Sequence, residues 1–123
     1  MDLSAVIANL TTATSASRFL DSQIAQAIGW KKVRNSKGDG SARNRWYPPG
    51  SDEAAICPFF TSNFDDAYAL SIGIDPHHAA AFVREGNSSR AQFEGGEPCY
   101  GPTPQIALCI AALTHMQRLA STL

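Results

Sequence analysis

No CxxC pair occurs anywhere in the 123 residues, and the three cysteines, Cys57, Cys99 and Cys109, make an odd count. That argues against a disulfide framework and against a zinc site built on cysteine pairs, and it suits free thiols in a reducing compartment. Long apolar runs are missing too. The longest covers residues 106–113, against the roughly 20 residues that a membrane-spanning helix needs. The first residues hold no basic segment, and Asp2, Ser4, Asn9, Thr11 and Thr12 interrupt any apolar stretch. No secretory signal or membrane contact is therefore expected, and the expected location is the cytoplasm. There is no HExxH, no GxGxxG behind a strand, and no GK(S/T) ending after the Gly-rich turn at residues 38–41. No metal, nucleotide cofactor or other prosthetic group is implied.

What remains is ordinary globular material, 44% hydrophobic and 17% charged, of a length that suits one domain over residues 1–123. The net charge of −1 conceals an asymmetry. Residues 31–45 hold six of the ten basic residues (Lys31, Lys32, Arg34, Lys37, Arg43, Arg45) and one of the eleven acidic ones (Asp39), which is +5. The rest of the chain holds four basic and ten acidic residues, which is −6. Charge sorted along a chain in this way points to a surface with a task.

Local patterns give the elements. Leu3, Val6, Ile7 and Leu10 recur at helical spacing behind Asp2. Ser15 or Ser17 can cap a second helix, whose apolar stripe is Leu20, Ile24, Ala27 and Ile28 and which Gly29 ends. WKKVR and RNRWY, separated by the flexible stretch NSKGDGSA, predict a basic β-hairpin over residues 30–47 with a mobile tip. Pro58 reduces AAICPFF to an edge strand or packed coil. Ser62 with Asp65 predicts a capping box at the start of a middle helix. AAAFVRE and SRAQFE, joined by GNS, predict a second hairpin, followed by an irregular connection through Gly95, Gly96, Pro98, Gly101 and Pro102. Thr103 as cap and Pro104 at the first position open the longest helix, with Ile106, Ile110, Leu113 and Met116 as its seam. Helices at both ends with hairpins between them predict an α+β fold, a short, mainly antiparallel sheet flanked by N-terminal, middle and C-terminal helices.

The ordered segments FLDSQIAQAIGW, WYPPG, FFTSNFDDAYAL and PTPQIALCIAAL resemble the phage ABA-sandwich domain family, over roughly residues 3–117. Two departures stand out. SIGIDPHHAAAFVRE occupies the place where family members often carry a Trp-rich strand, and the hairpin is more heavily charged than in the family. The resemblance implies an α/β/α sandwich and a phage or prophage origin. It implies no catalytic residues, because shared fold does not carry shared function.

Catalytic candidates are few. Asp75, His77 and His78 form the one cluster resembling a metal site, but adjacent histidines on a strand point to opposite faces. Cys99, with His115 or His78 as base, would make a nucleophile, but Glu97 beside it raises a thiol pKa. The expectation is a protein that is not an enzyme. The positive feature is the hairpin: Lys31, Lys32, Arg34, Lys37, Arg43 and Arg45, with Trp46 and Tyr47 (and Trp30) beside them, suit an anionic partner. Trp30 and Trp46 as core anchors under merely solvated charges is the competing reading.

Three classes of function follow. The first is a counter-defence inhibitor, for example an anti-CRISPR protein, that contacts a host protein or defence ribonucleoprotein. In it, the acidic remainder could mimic nucleic acid while the hairpin meets an acidic patch, and the hairpin could also touch nucleic acid or phosphate. The second is a binder that sequesters a small ligand or nucleotide, which could act as a homodimer. The third is a small hydrolase or metal enzyme using Asp75, His77, His78 or Cys99.

Overall fold

Thr103 and Pro104 begin the helix around which the chain is built. In the computed structural model, which describes residues 2–36, 42–77 and 80–121 (with the side chains at 35, 36, 42 and 43 outside that description), helix α4 spans Pro104–Ser121. The Thr103 hydroxyl accepts from the Ile106 N–H at 3.2 Å, and Pro104 costs the helix no hydrogen bond at its first position. The spacing of Ile106, Ile110 and Leu113 suggests one buried stripe. In fact every residue from 106 to 113 is buried, because α4 takes the middle of the molecule rather than one side. Each fully buried Leu or Ile contributes about 1.5–3 kcal/mol of hydrophobic stabilisation.

The other elements pack round α4. Helix α1 (Leu3–Thr12) is capped by the Asp2 carboxylate, and helix α2 (Arg18–Ala27) by the Ser17 hydroxyl. Helix α2 ends as its sequence predicts. Trp30 N–H reaches Ala25 O at 3.0 Å and Gly29 N–H reaches Gln26 O at 3.2 Å, with Gly29 at φ +102°. These are the paired bonds of a Schellman turn. Helix α3 (Phe64–Ile74) packs along α4. Its cap differs from the expectation: Asn63, not Ser62, accepts from the Asp66 N–H at 3.1 Å, since the turn that buries Phe60 and Thr61 sets the helix one residue later.

The class is α+β and all pairing is antiparallel, as expected, with the strands divided over two sheets. Strands β1 (Lys31–Ser36) and β2 (Ala42–Tyr47) form the basic hairpin, whose anticipated mobile tip lies outside the described residues. Strands β3 (Ala80–Glu85), β4 (Ser88–Phe93) and β5 (Cys99–Gly101) make a three-stranded sheet in the order β3-β4-β5. The connection read as irregular thus contains β5. A three-residue strand between Pro98 and Pro102 carries no periodicity, and its partner β4 supplies the order. Alternate β4 residues Ser89, Ala91 and Phe93 are buried against α4. On the opposite face Val83, Arg90 and Tyr100 stand in one row, with Val83 and Tyr100 exposed. Layer order within the class is therefore sheet, central helix, then the remaining helices.

Gly101 enables the close seat of β5 on α4, since a Cβ there would lie 2.9 Å from the Ala107 nitrogen. AAICPFF is a packed coil, joined to β2 through the single bridge Trp46–Ala55. Among the described residues, no helix is long and apolar enough to cross a membrane.

Candidate functional site

The hairpin stands away from the core. It touches the body at its base, where β1 leaves α2, where Trp30 and Trp46 pack against the core, and where Ala55 bridges Trp46. Directly opposed residues share a face. The register Lys31–Tyr47, Lys32–Trp46, Val33–Arg45 and Arg34–Asn44 therefore puts Lys31 and Arg45 on one face and Lys32 and Arg34 on the other. All four cations are exposed, and none forms an ion pair with a described residue. Lys32 Nζ lies 5.7 Å from the Trp46 ring, a cation–π contact at the ribbon's root. Of the remaining predicted residues, Arg43 pairs with Asn35 in register, with its side chain outside the description, and Lys37 lies outside it altogether. Trp46 and Tyr47 are half-buried; Trp46 packs against the core and also presents its face to a cation.

Beside the ribbon's base is a shallow depression of about 450 Å³, bounded by Arg18, Asn44, Arg45 and the segment at residues 54–57. Pattern reading passes over Arg18, Asn44 and the exposed Ile56. One signal was available for Arg18, since a cation at the first position of a helix opposes the helix dipole and needs a tertiary reason to be there. The reason is a dense set of contacts. Arg18 donates to Asp21 Oδ2 at 2.9 Å, to Pro58 O at 3.0 Å and to Cys57 O at 2.8 Å, and stacks 3.8 Å above the Phe59 ring. The guanidinium is thus fixed, and that of Arg45 across the depression forms no ion pair with a described residue. Two guanidiniums and an amide around an open hollow suit a phosphate or carboxylate.

Of the catalytic candidates, the structure joins Asp75 and His115 directly. Asp75 is buried, and its Oδ2 lies 2.8 Å from His115 Nε2 while its Oδ1 accepts from the His77 N–H at 3.0 Å. The exposed His77 side chain belongs to a turn, and His78 lies outside the described residues. Arg118 Nη2 sits 2.8 Å from His115 Nδ1. Cys99 is half-buried, and burial foremost pushes its thiol above the usual range, aided by Glu97 and opposed by a hydrogen bond with Thr114. Among the described residues, no three His, Cys, Asp or Glu side chains are grouped to hold a metal.

A second concavity of about 500 Å³ lies between the end of α2, the coil around Pro49 and Pro58, and one side of α3 and α4. It is lined by apolar side chains with one carboxylate, Asp66. Compared with known families, curated proteins and solved structures, the chain matches none.

Proposed function

We propose that the chain is a non-catalytic binding protein that acts by inserting its basic ribbon into an anionic groove of a host complex. The observation that carries this is the two-sided charge of the hairpin. A flat acidic surface could satisfy Lys31 and Arg45, or Lys32 and Arg34, but not both pairs at once. A groove with anionic walls on both sides satisfies all four. Nucleic-acid grooves have that form, and a two-stranded β-ribbon fits the major groove of a duplex. The acidic remainder of the domain opposes general adhesion to nucleic acid and favours a composite partner, in which protein surface surrounds a nucleic-acid channel. With the resemblance to phage-encoded ABA-sandwich proteins, this reading becomes a counter-defence inhibitor of a nucleic-acid-guided complex in the host cytoplasm.

The test is fluorescence anisotropy with a labelled duplex and with a purified guide-loaded effector, at several salt concentrations. Four phosphate contacts give a log–log salt slope of about −3.6 for duplex. The effector binds more tightly than free duplex. Replacing Arg34 and Arg45 with Glu removes both interactions while the melting temperature holds. Unchanged affinity in that double variant would take the ribbon out of the site. Loss of the fold would make the hairpin structural.

A further inference from the structure

We infer that the apolar cleft beneath α3 is a small-molecule site, selective for a flat apolar body that carries one protonated nitrogen. Its volume of about 500 Å³ falls within the roughly 300–1,000 Å³ of ligand pockets. Trp30 supplies a flat wall with the buried Phe60 behind the lining, Ile74 a side along α3, and Met116 an adaptable side.

Charge complementarity selects the occupant. Among the described residues, Asp66 is the one ionisable residue of the lining, and no lysine, arginine or histidine borders the cleft. The carboxylate is held in place: Oδ2 accepts from the Phe59 N–H at 2.8 Å, and the Asp66 backbone N–H is tied to Asn63 Oδ1 at 3.1 Å. Oδ1 accepts no hydrogen bond from a described residue and is the available acceptor. The positive end of the α3 dipole amounts to about half a charge and is outweighed by the two carboxylates of the first turn, Asp65 and Asp66. A cation meeting Asp66 while its apolar body covers Trp30 and Met116 satisfies both parts of the cleft. An anion satisfies neither the charge nor the free acceptor.

Gly73 provides the control. It lines the cleft within α3, and a Cβ built there meets nothing within 4 Å, so a large side chain enters open space instead of the core. The experiment titrates the whole protein with proflavine, a flat aromatic cation, and separately with anilinonaphthalene sulfonate, an anion of similar size, following tryptophan emission, with Trp46→Phe as the variant in which Trp30 alone reports. The expected result is saturable quenching by proflavine and at least tenfold weaker binding of the anion. Gly73→Phe removes proflavine binding. Asp66→Asn, whose amide oxygen can still accept from Phe59, weakens it about tenfold without weakening the anion, and Arg34→Glu/Arg45→Glu leaves it unchanged. Circular dichroism checks the fold of each variant, and Ala69→Trp is a second block if Gly73→Phe does not fold. No saturable quenching by proflavine, equal affinity for the two probes, or binding that survives both blocking variants would overturn the inference. So would sedimentation showing that Gly73→Phe dissociates a dimer, since the cleft would then be occupied by a second copy.

Discussion

His115 Nε2 lies 2.8 Å from Asp75 Oδ2, across 40 residues of chain and in the buried interior. Arg118 can only donate, so His115 Nδ1, 2.8 Å from Arg118 Nη2, is the acceptor and the ring proton resides on Nε2, donated to Asp75. Phe93 stacks on the imidazole at 4.4 Å, and Arg118 continues to Gly95 O at 3.1 Å. The chain of contacts ties the end of α3 to α4 and to the loop after β4. It gives Asp75 and His115 a structural role.

The first prediction follows from that connection. Asp75→Ala and His115→Ala each leave a buried polar partner without its bond, and each costs about 2–4 kcal/mol of stability. Because the two losses share one contact, the double variant costs at least about 1 kcal/mol less than their sum. Urea unfolding of the four proteins measures this. Strict additivity would mean that the contact does not form in solution.

How much of this could be read from sequence depends on the range of the interaction. Asp2, Ser17 and the Thr103–Pro104 pair act on the turn beside them, so the residue types alone place those helix starts. The basic hairpin is equally local, two strands with a Gly-rich turn between them. Asn63 shows the limit: Ser62 is as good a capping residue, and the choice is made by Phe60 and Thr61, whose burial against α2 and α4 no local rule contains. The Asp75–His115 pair and the Asp66 cleft each join segments distant in sequence, and β5 is a three-residue strand between two prolines. None has a periodicity or spacing to reveal it.

A second buried carboxylate gives the next prediction. Asp21, 1% exposed, accepts from the Thr61 N–H at 2.8 Å, from the Thr61 hydroxyl at 2.7 Å and from Arg18 at 2.9 Å. Asp21→Ala strands a buried N–H and releases the Arg18 clamp, a loss of about 3–5 kcal/mol. Asp21→Asn keeps one acceptor for the Thr61 N–H and costs about half as much. Thermal unfolding of the two variants decides it, and equal losses would show that the Thr61 contact contributes nothing.

Glycines separate conformational need from helix propensity. Gly29 stands at φ +102° with Pro49 3.4 Å from where a Cβ would be, so Gly29→Ala destabilises by about 1 kcal/mol or more. Gly101→Ala brings a Cβ to 2.9 Å from the Ala107 nitrogen, which must lift β5 from α4, and it costs more than Gly29→Ala. Gly73, helical and uncrowded, goes the other way: Gly73→Ala stabilises by about 0.5–1 kcal/mol. Denaturant midpoints rank the three, and a stabilising Gly101→Ala would refute the close packing.

Alkaline pH tests the buried thiols. Burial pushes the Cys109 thiol far above the ordinary 9.0, with Asp21 adding to the rise, and raises Cys57 and Cys99 in the same direction. About two pH units below 9.0 and lower, all three are protonated in both states and contribute no pH dependence. As pH rises past 9 the unfolded chain releases these protons first, so the unfolded state binds fewer of them and stability falls. Each thiol held fully protonated in the native state steepens that fall by about 1.4 kcal/mol per pH unit. Cys109→Ala lowers stability at pH 8, where a small cavity opens in the core, but flattens the decline between pH 9 and 11 by about one proton's worth. The measurement is the urea midpoint at each pH, under reductant, for both proteins. Parallel curves would mean that Cys109 ionises in the native state and that the core around α4 admits water.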